Sequence, residues 1–159
     1  MTYSPRRQKA VNLLSDLDLD VLILCQHEKI RYLCGFTGSS GVLLVTPEQL
    51  VFLTDSRYTT QSNEEVSADN IVEYQVQVDG VVDQLLALGV TRIGFEPELA
   101  FRTVMDLQAK GDSSWSWTCC KDELKSLRQH KSTQEISLIS SAADLNASGL
   151  AAIEEMIRP

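Results

Sequence analysis

The spacing of apolar positions changes from segment to segment along this chain, and each spacing predicts an element. Ala10, Leu13, Leu14 and Leu17 recur at helical intervals. Ser4 stands where it can cap that helix, and Pro5 suits its first turn. Asp20 opens the apolar run 21–25, a strand of the kind buried on both faces of a sheet. A short helix over 27–33 stops at Gly35. Two more apolar runs, 42–45 and 50–53, flank Thr46-Pro47-Glu48-Gln49 and read as a hairpin. The spacing then predicts a helix over 57–65, an alternating strand over 71–78 and a helix over 81–88 that closes at Gly89. A strand over 92–95, a helix over 100–110 closing at Gly111, and a strand over 115–120 complete this part. Trp115 and Trp117 lie two apart on the last strand, which points to one core face and one partly exposed face. The fold class this predicts is α/β, a six-stranded mixed sheet flanked by helices.

The tail breaks the rhythm. A short helix is expected over 121–127. From Ser132 to Ile157 the only turn signal is Gly149, and Ile136, Ile139, Ala143, Leu150, Ile153 and Ile157 form one apolar stripe. Thr133 is placed to cap it. A helix of roughly 25 residues is over twice the usual length, and its stripe calls for a covering surface. The domains expected are therefore 1–127, the α/β domain, and 128–159, a linker and a long helix.

Composition narrows the function classes. The chain has 159 residues, 43% hydrophobic and 23% charged, as in soluble globular chains, with a net charge of −8. It carries no basic stripe to neutralise phosphates, so no nucleic-acid partner is expected. The uninterrupted apolar runs, such as 21–25, are too short for a bilayer, and no membrane partner is expected. The segment 1–9 is polar, with no apolar stretch behind its arginines, so no signal peptide is expected. Cys25, Cys34, Cys119 and Cys120 form no C-x-x-C pair, and the simple reading is reduced thiols in the cytoplasm.

Two clusters could carry chemistry. The run Gly35-Phe36-Thr37-Gly38-Ser39-Ser40-Gly41 tempts a phosphate-loop reading but lacks the Gly-Lys-Ser/Thr ending. It also lacks the G-x-S-x-G elbow, and a serine hydrolase would need a base that the chain does not offer. In Thr54-Asp55-Ser56-Arg57-Tyr58, Asp55 follows a buried strand and can cap the next turn or pair with Arg57. Strand ends also gather ligands, so both readings stand. The hairpin brings the two clusters to one edge, where Phe36, Ser39, Ser40, Arg57 and Tyr58 form the candidate substrate-facing set. An aromatic ring, small hydroxyls and a guanidinium there could shape a pocket and hold a peptide carboxylate bidentately. His27 and His130 are far apart and lack ligands at zinc spacing, so no metal site is expected.

Four segments together resemble the amino-terminal domain of the creatinase/prolidase/aminopeptidase P family of metallopeptidases. They are Arg31-Tyr32-Leu33-Cys34-Gly35-Phe36-Thr37-Gly38-Ser39, Thr54-Asp55-Ser56-Arg57-Tyr58, Ile93-Gly94-Phe95-Glu96, and Leu127-Arg128 with Lys131, Glu135, Ile136 and Ile139. They occur in family order across almost the whole chain. The resemblance implies that the segment from Leu127 to Lys131 links two domains and that the long helix opens a catalytic domain, with Met156-Ile157-Arg158-Pro159 at its end. It implies that the family's aspartate, histidine and glutamate ligands for two divalent metal ions (manganese, cobalt or zinc) lie beyond Pro159. The implied function is the non-catalytic domain of an Xaa-Pro aminopeptidase or dipeptidase. Such a domain helps form a homo-oligomer, a dimer, and walls the entrance for a proline-containing peptide. The alternative is a peptide- or protein-binding module of the same fold in a catalytically dead relative.

Overall fold

The structure is a computed structural model that describes residues 4–157. By internal contacts the chain divides into two units, Met1–Leu127 and Arg128–Pro159. The first holds a six-stranded sheet. In chain order its elements are α1 (Ser4–Asp16), β1 (Val21–Leu24), α2 (His27–Cys34), β2 (Val42–Val45), β3 (Leu50–Thr54), α3 (Thr59–Glu65), β4 (Asn70–Glu73), α4 (Gln77–Leu88), β5 (Arg92–Phe95), α5 (Phe101–Lys110), β6 (Ser116–Cys119) and α6 (Ser126–Gln129). The strand order is β4-β3-β2-β1-β5-β6. The hairpin pairs Val42 with Leu53 and Val45 with Leu50, and β1 lies antiparallel to β2. The pairs β3–β4, β1–β5 and β5–β6 are parallel, and β3–β4 and β5–β6 are each joined through a helix.

Period-two alternation sorts the central strands between two layers. Leu22, Leu24, Leu43, Val45, Leu50 and Phe52 face α1 and α2, through Ala10, Leu14, Ile30 and Leu33. Val21, Ile23, Val42, Leu44, Val51 and Leu53 face α4 and α5, through Val81, Leu85, Val104 and Leu107. Burial on both sides explains why β1, β2 and β3 are apolar without interruption. Each such side chain taken from water contributes about 2 kcal/mol. The outer strands β4 and β6 are only half covered, and their residues are mixed accordingly.

Several expected boundaries move. The strand expected over 71–78 ends at Glu73, and a helix begins at Gln77. The alternation of Val76 and Val78 with polar residues continued the strand pattern by coincidence. Val78, Val81, Val82 and Leu85 also fit one helical face, and packing on the sheet selects the helix. Residues 56–58 form a 3-10 turn before α3 rather than the first turn of one helix. Ser4 lies inside α1 instead of capping it.

The second unit is dominated by α7 (Thr133–Ile157), 25 residues long. Its cap is Ser132, not Thr133. Ser132 Oγ accepts from the Glu135 N–H at 3.2 Å, and the Glu135 carboxylate accepts from the Ser132 N–H at 2.8 Å. This reciprocal capping box satisfies two otherwise orphaned donors. Within Thr133–Glu154 an 18-residue window reaches a mean hydropathy of 1.3, long and apolar enough to cross a membrane by length and composition only. Asp144, Asn146 and four serines break up the stretch, and Leu138 and Leu145 lie exposed off the apolar stripe. Arg158 and Pro159, expected to end this helix, lie outside the described residues.

Candidate functional site

The candidate residues gather at the carboxyl ends of β1, β3 and β5, beside the start of β2. Gly35 ends α2 in the left-handed region (φ 93°), its N–H bonding the Arg31 carbonyl, and turns the chain into the loop 36–41. Phe36 then dives inward. It is 1% exposed and packs on Phe52 with ring centroids 4.6 Å apart, and edge-on to Tyr58 at 5.6 Å. This corrects the expectation that Phe36 faces substrate from a loop that adds little to the core. Phe36 is a core residue, because the loop crosses the open end of the layer beneath α1 and α2. Gly38 makes the crossing feasible: a Cβ there would stand 2.4 Å from the Phe36 ring and 2.8 Å from that of Tyr58.

The rest of the loop is held by hydrogen bonds. The Thr37 N–H and hydroxyl both bond the Glu65 carboxylate at 2.8 Å. Those donors, the backbone N–H first, hold the Glu65 carboxyl below its ordinary range. Ser39 Oγ lies 2.6 Å from the Tyr58 hydroxyl, and this bond lowers the phenol's pKa. The Ser39 carbonyl accepts from His27 Nε2 at 2.7 Å. A carbonyl can only accept, so this contact places a proton on Nε2. Ser40 Oγ lies 3.3 Å from the Tyr74 hydroxyl, and its carbonyl accepts from buried Thr54 Oγ1 at 2.7 Å.

Asp55 both caps and pairs. Its carboxylate accepts from the Arg57 N–H at 3.1 Å and, side-on, from Arg57 Nε and Nη2, both at 2.8 Å. The guanidinium holds the Asp55 carboxyl well below the carboxylate range, and Asp55 in turn raises the arginine's pKa. Arg57 is 70% exposed, so it is not buried against Asp55. A bidentate grip on a peptide carboxylate by its Nε edge would need the two nitrogens that already hold Asp55.

The structure thus brings Ser39, Ser40, Arg57 and Tyr58 together at one edge and turns Phe36 away from it. Sequence reasoning passed over three supporting residues. His27 was weighed only as a metal ligand. Tyr74 was placed in a strand. Glu96, part of a recognised segment, had no role assigned. Glu96 is fully buried at the end of β5, where one carboxylate oxygen accepts the N–H groups of Cys25 and Gln26 and the other meets Lys29 Nζ at 2.8 Å. A carboxylate at the start of α2 suits the helix dipole. It fixes the turn from which His27 reaches Ser39. Among the described residues no three His, Cys, Asp or Glu side chains converge on a point, so they supply no donor set for a metal ion.

The family profile of the Creatinase/Prolidase N-terminal domain matches residues 6–130. The chain belongs to this family. Its similarity to the uncharacterized peptidase YqhT of Bacillus subtilis (strain 168) is 29% identity over 140 residues, 87% of this chain and 39% of YqhT. The fold is that of the Xaa-Pro dipeptidase from Bacillus anthracis, with a TM-score of 0.91 at 24% identity, covering 99% of this chain and 44% of that one. The N-terminal domain of the cytoplasmic peptidase PepQ from Mycobacterium tuberculosis H37Rv matches with a TM-score of 0.71 at 26% identity, covering 78% of this chain and 98% of that one. Homologues of this domain are thus Xaa-Pro peptidases and prolidases. The chain spans less than half the length of YqhT and of the Bacillus anthracis enzyme.

Proposed function

We propose that this creatinase/prolidase N-terminal domain is the non-catalytic part of an Xaa-Pro aminopeptidase or Xaa-Pro dipeptidase. In this reading it helps form the subunit interface of a homodimer and walls the entrance for a proline-containing peptide. The two divalent metal ions of such an enzyme are bound outside this chain. The working compartment is the cytoplasm, where its four thiols stay reduced.

The observation that carries the reading is the polar edge formed by Ser39, Tyr58 and Arg57, pinned at the carboxyl ends of the strands in a chain whose family match covers residues 6–130. Strand carboxyl ends are where open α/β sheets receive ligands. A rim of hydroxyls and one charge-matched guanidinium suits the polar backbone of a peptide better than a bare anion.

Two measurements test it. The 159-residue chain, assayed with Xaa-Pro peptides and manganese, cobalt or zinc, turns over nothing above buffer. Turnover that is lost on substituting a residue of this chain overturns the non-catalytic assignment. In the longest polypeptide encoded with this domain, Ser39→Ala and Arg57→Ala lower kcat/KM for Xaa-Pro peptides and leave Tm in place. Unchanged kinetics in an intact oligomer rejects the entrance wall, and peptide binding without hydrolysis points to a binding module of the same fold.

A further inference from the structure

The loop 36–41 lies outside the strand ladders, so side chains of other elements decide its shape. Thr37 is tied to Glu65 of α3, Ser39 Oγ to Tyr58, and the Ser40 carbonyl to buried Thr54 Oγ1 of β3. These three tethers come from chain that follows the loop. The Ser39 carbonyl is held from chain that precedes it, by His27 Nε2 of α2 at 2.7 Å. Ser39 is thus gripped twice, at its hydroxyl and at its carbonyl, by groups on two elements. One grip leaves a residue free to turn about it, whereas two fix its peptide plane. The base from which His27 reaches is fixed by the core. Gln26, at the N-cap of α2, makes no side-chain cap bond. Buried Glu96 at the end of β5 accepts the Gln26 N–H instead, and Lys29, two residues beyond His27, meets the other Glu96 oxygen at 2.8 Å. His27 therefore stands between two residues locked to β5. A binding group is precise only when its supports are locked in turn.

We infer that His27 is a positioning residue for the substrate side of this domain: through the Ser39 carbonyl it holds the loop 36–41 in the conformation that meets a peptide. The inference rests on the entrance-wall reading above and adds a division of labour to it. Phe36 and Glu96 hold the fold, Ser39 meets the peptide, and His27 acts through Ser39. One neutral hydrogen bond biases an equilibrium by about fivefold. When the binding-competent loop is only partly populated, apparent affinity falls by that fraction and the chemical step is untouched. His27→Asn should therefore raise KM about two- to fivefold at unchanged kcat. Asparagine places its amide where the imidazole has Nδ1, too far back for the Ser39 carbonyl. Glutamine places an amide N–H close to the position of Nε2, so His27→Gln should restore the parent's KM.

The test has a structural arm and a kinetic arm. In the 159-residue chain, NMR order parameters of the 38–40 amides should fall in His27→Asn from about 0.85 toward about 0.6, while those of β2 and β3 hold. His27→Gln should recover them. In the longest polypeptide encoded with this domain, His27→Asn should raise KM for Xaa-Pro peptides at constant kcat and Tm, and His27→Gln should reverse the rise. Order parameters unchanged in His27→Asn overturn the inference whatever the kinetics. So does a lower Tm with reduced kcat at constant KM, the mark of a merely structural residue. A KM that Ser39→Ala raises and His27→Asn does not also overturns it, and leaves the entrance wall standing. If the loop loosens and neither variant moves KM, the entrance wall has failed and the inference falls with it.

Discussion

Glu96 is fully buried and lies 2.8 Å from the ammonium of Lys29, 67 residues away in sequence. With its other oxygen it takes the first backbone donors of the β1–α2 corner. Lys29 also reaches the more exposed Glu98 at 3.0 Å. Removing one member of a buried pair leaves the other charge and two N–H groups without compensation. Glu96→Ala should therefore cost about 3–5 kcal/mol in urea denaturation. Glu96→Gln retains an acceptor for the N–H groups and should cost less. A Glu96→Ala protein within 1 kcal/mol of the parent, on the order of one lost neutral hydrogen bond, would show that water replaces the carboxylate.

Phe36→Ala is expected to destabilise the α/β unit by about 3–5 kcal/mol, the cost of emptying a buried aromatic site. Gly38→Ala should also destabilise, because its Cβ would collide with the Phe36 and Tyr58 rings. Calorimetry on the two variants checks both. A Tm unchanged in Phe36→Ala would mean that the loop is not packed as described.

Acid stability should depend on Asp20. Its carboxylate accepts from the Arg92 guanidinium and from the N–H groups of Thr91 and Arg92. Arg92 is the chief reason that its pKa lies far below the ordinary value. A carboxyl that is more acidic folded than unfolded stabilises the fold above its unfolded pKa of about 3.9. That contribution is lost as pH falls from there toward the folded value. Urea midpoints should thus separate parent from Asp20→Asn at pH 6 and draw closer together in acid. Parallel curves across the whole range would count against this role.

Among the four cysteines only Cys119 is exposed. Burial raises the thiols of Cys25 to about 12, and of Cys34 and Cys120 to about 11. At neutral pH the native protein should give one fast-reacting thiol with a disulfide reagent and four after unfolding. Cys119→Ser should abolish the fast phase. Fast reaction of a second thiol would reveal local opening at the β1–α2 corner or beneath β6.

The central strands and most helices were legible in the sequence because burial on both faces leaves only apolar residues at 21–24, 42–45 and 50–53. Local chemistry likewise marked the Gly35 stop and the Asp55–Arg57 pairing, since both depend on residues a few positions apart. Other features depended on distance. The inward turn of Phe36 follows from the space left between Phe52 and Tyr58, 16 and 22 residues further on. The end of β4 at Glu73 was decided by which face of 78–85 could pack on the sheet, a choice on which the spacing is silent. The role of Glu96 exists only because parallel pairing sets β5 beside β1 and brings a carboxylate to the first backbone donors of a helix formed 70 residues earlier. Periodicity and turn chemistry act over one or two turns of chain. The partners of a buried ring or charge are chosen by the whole core at once.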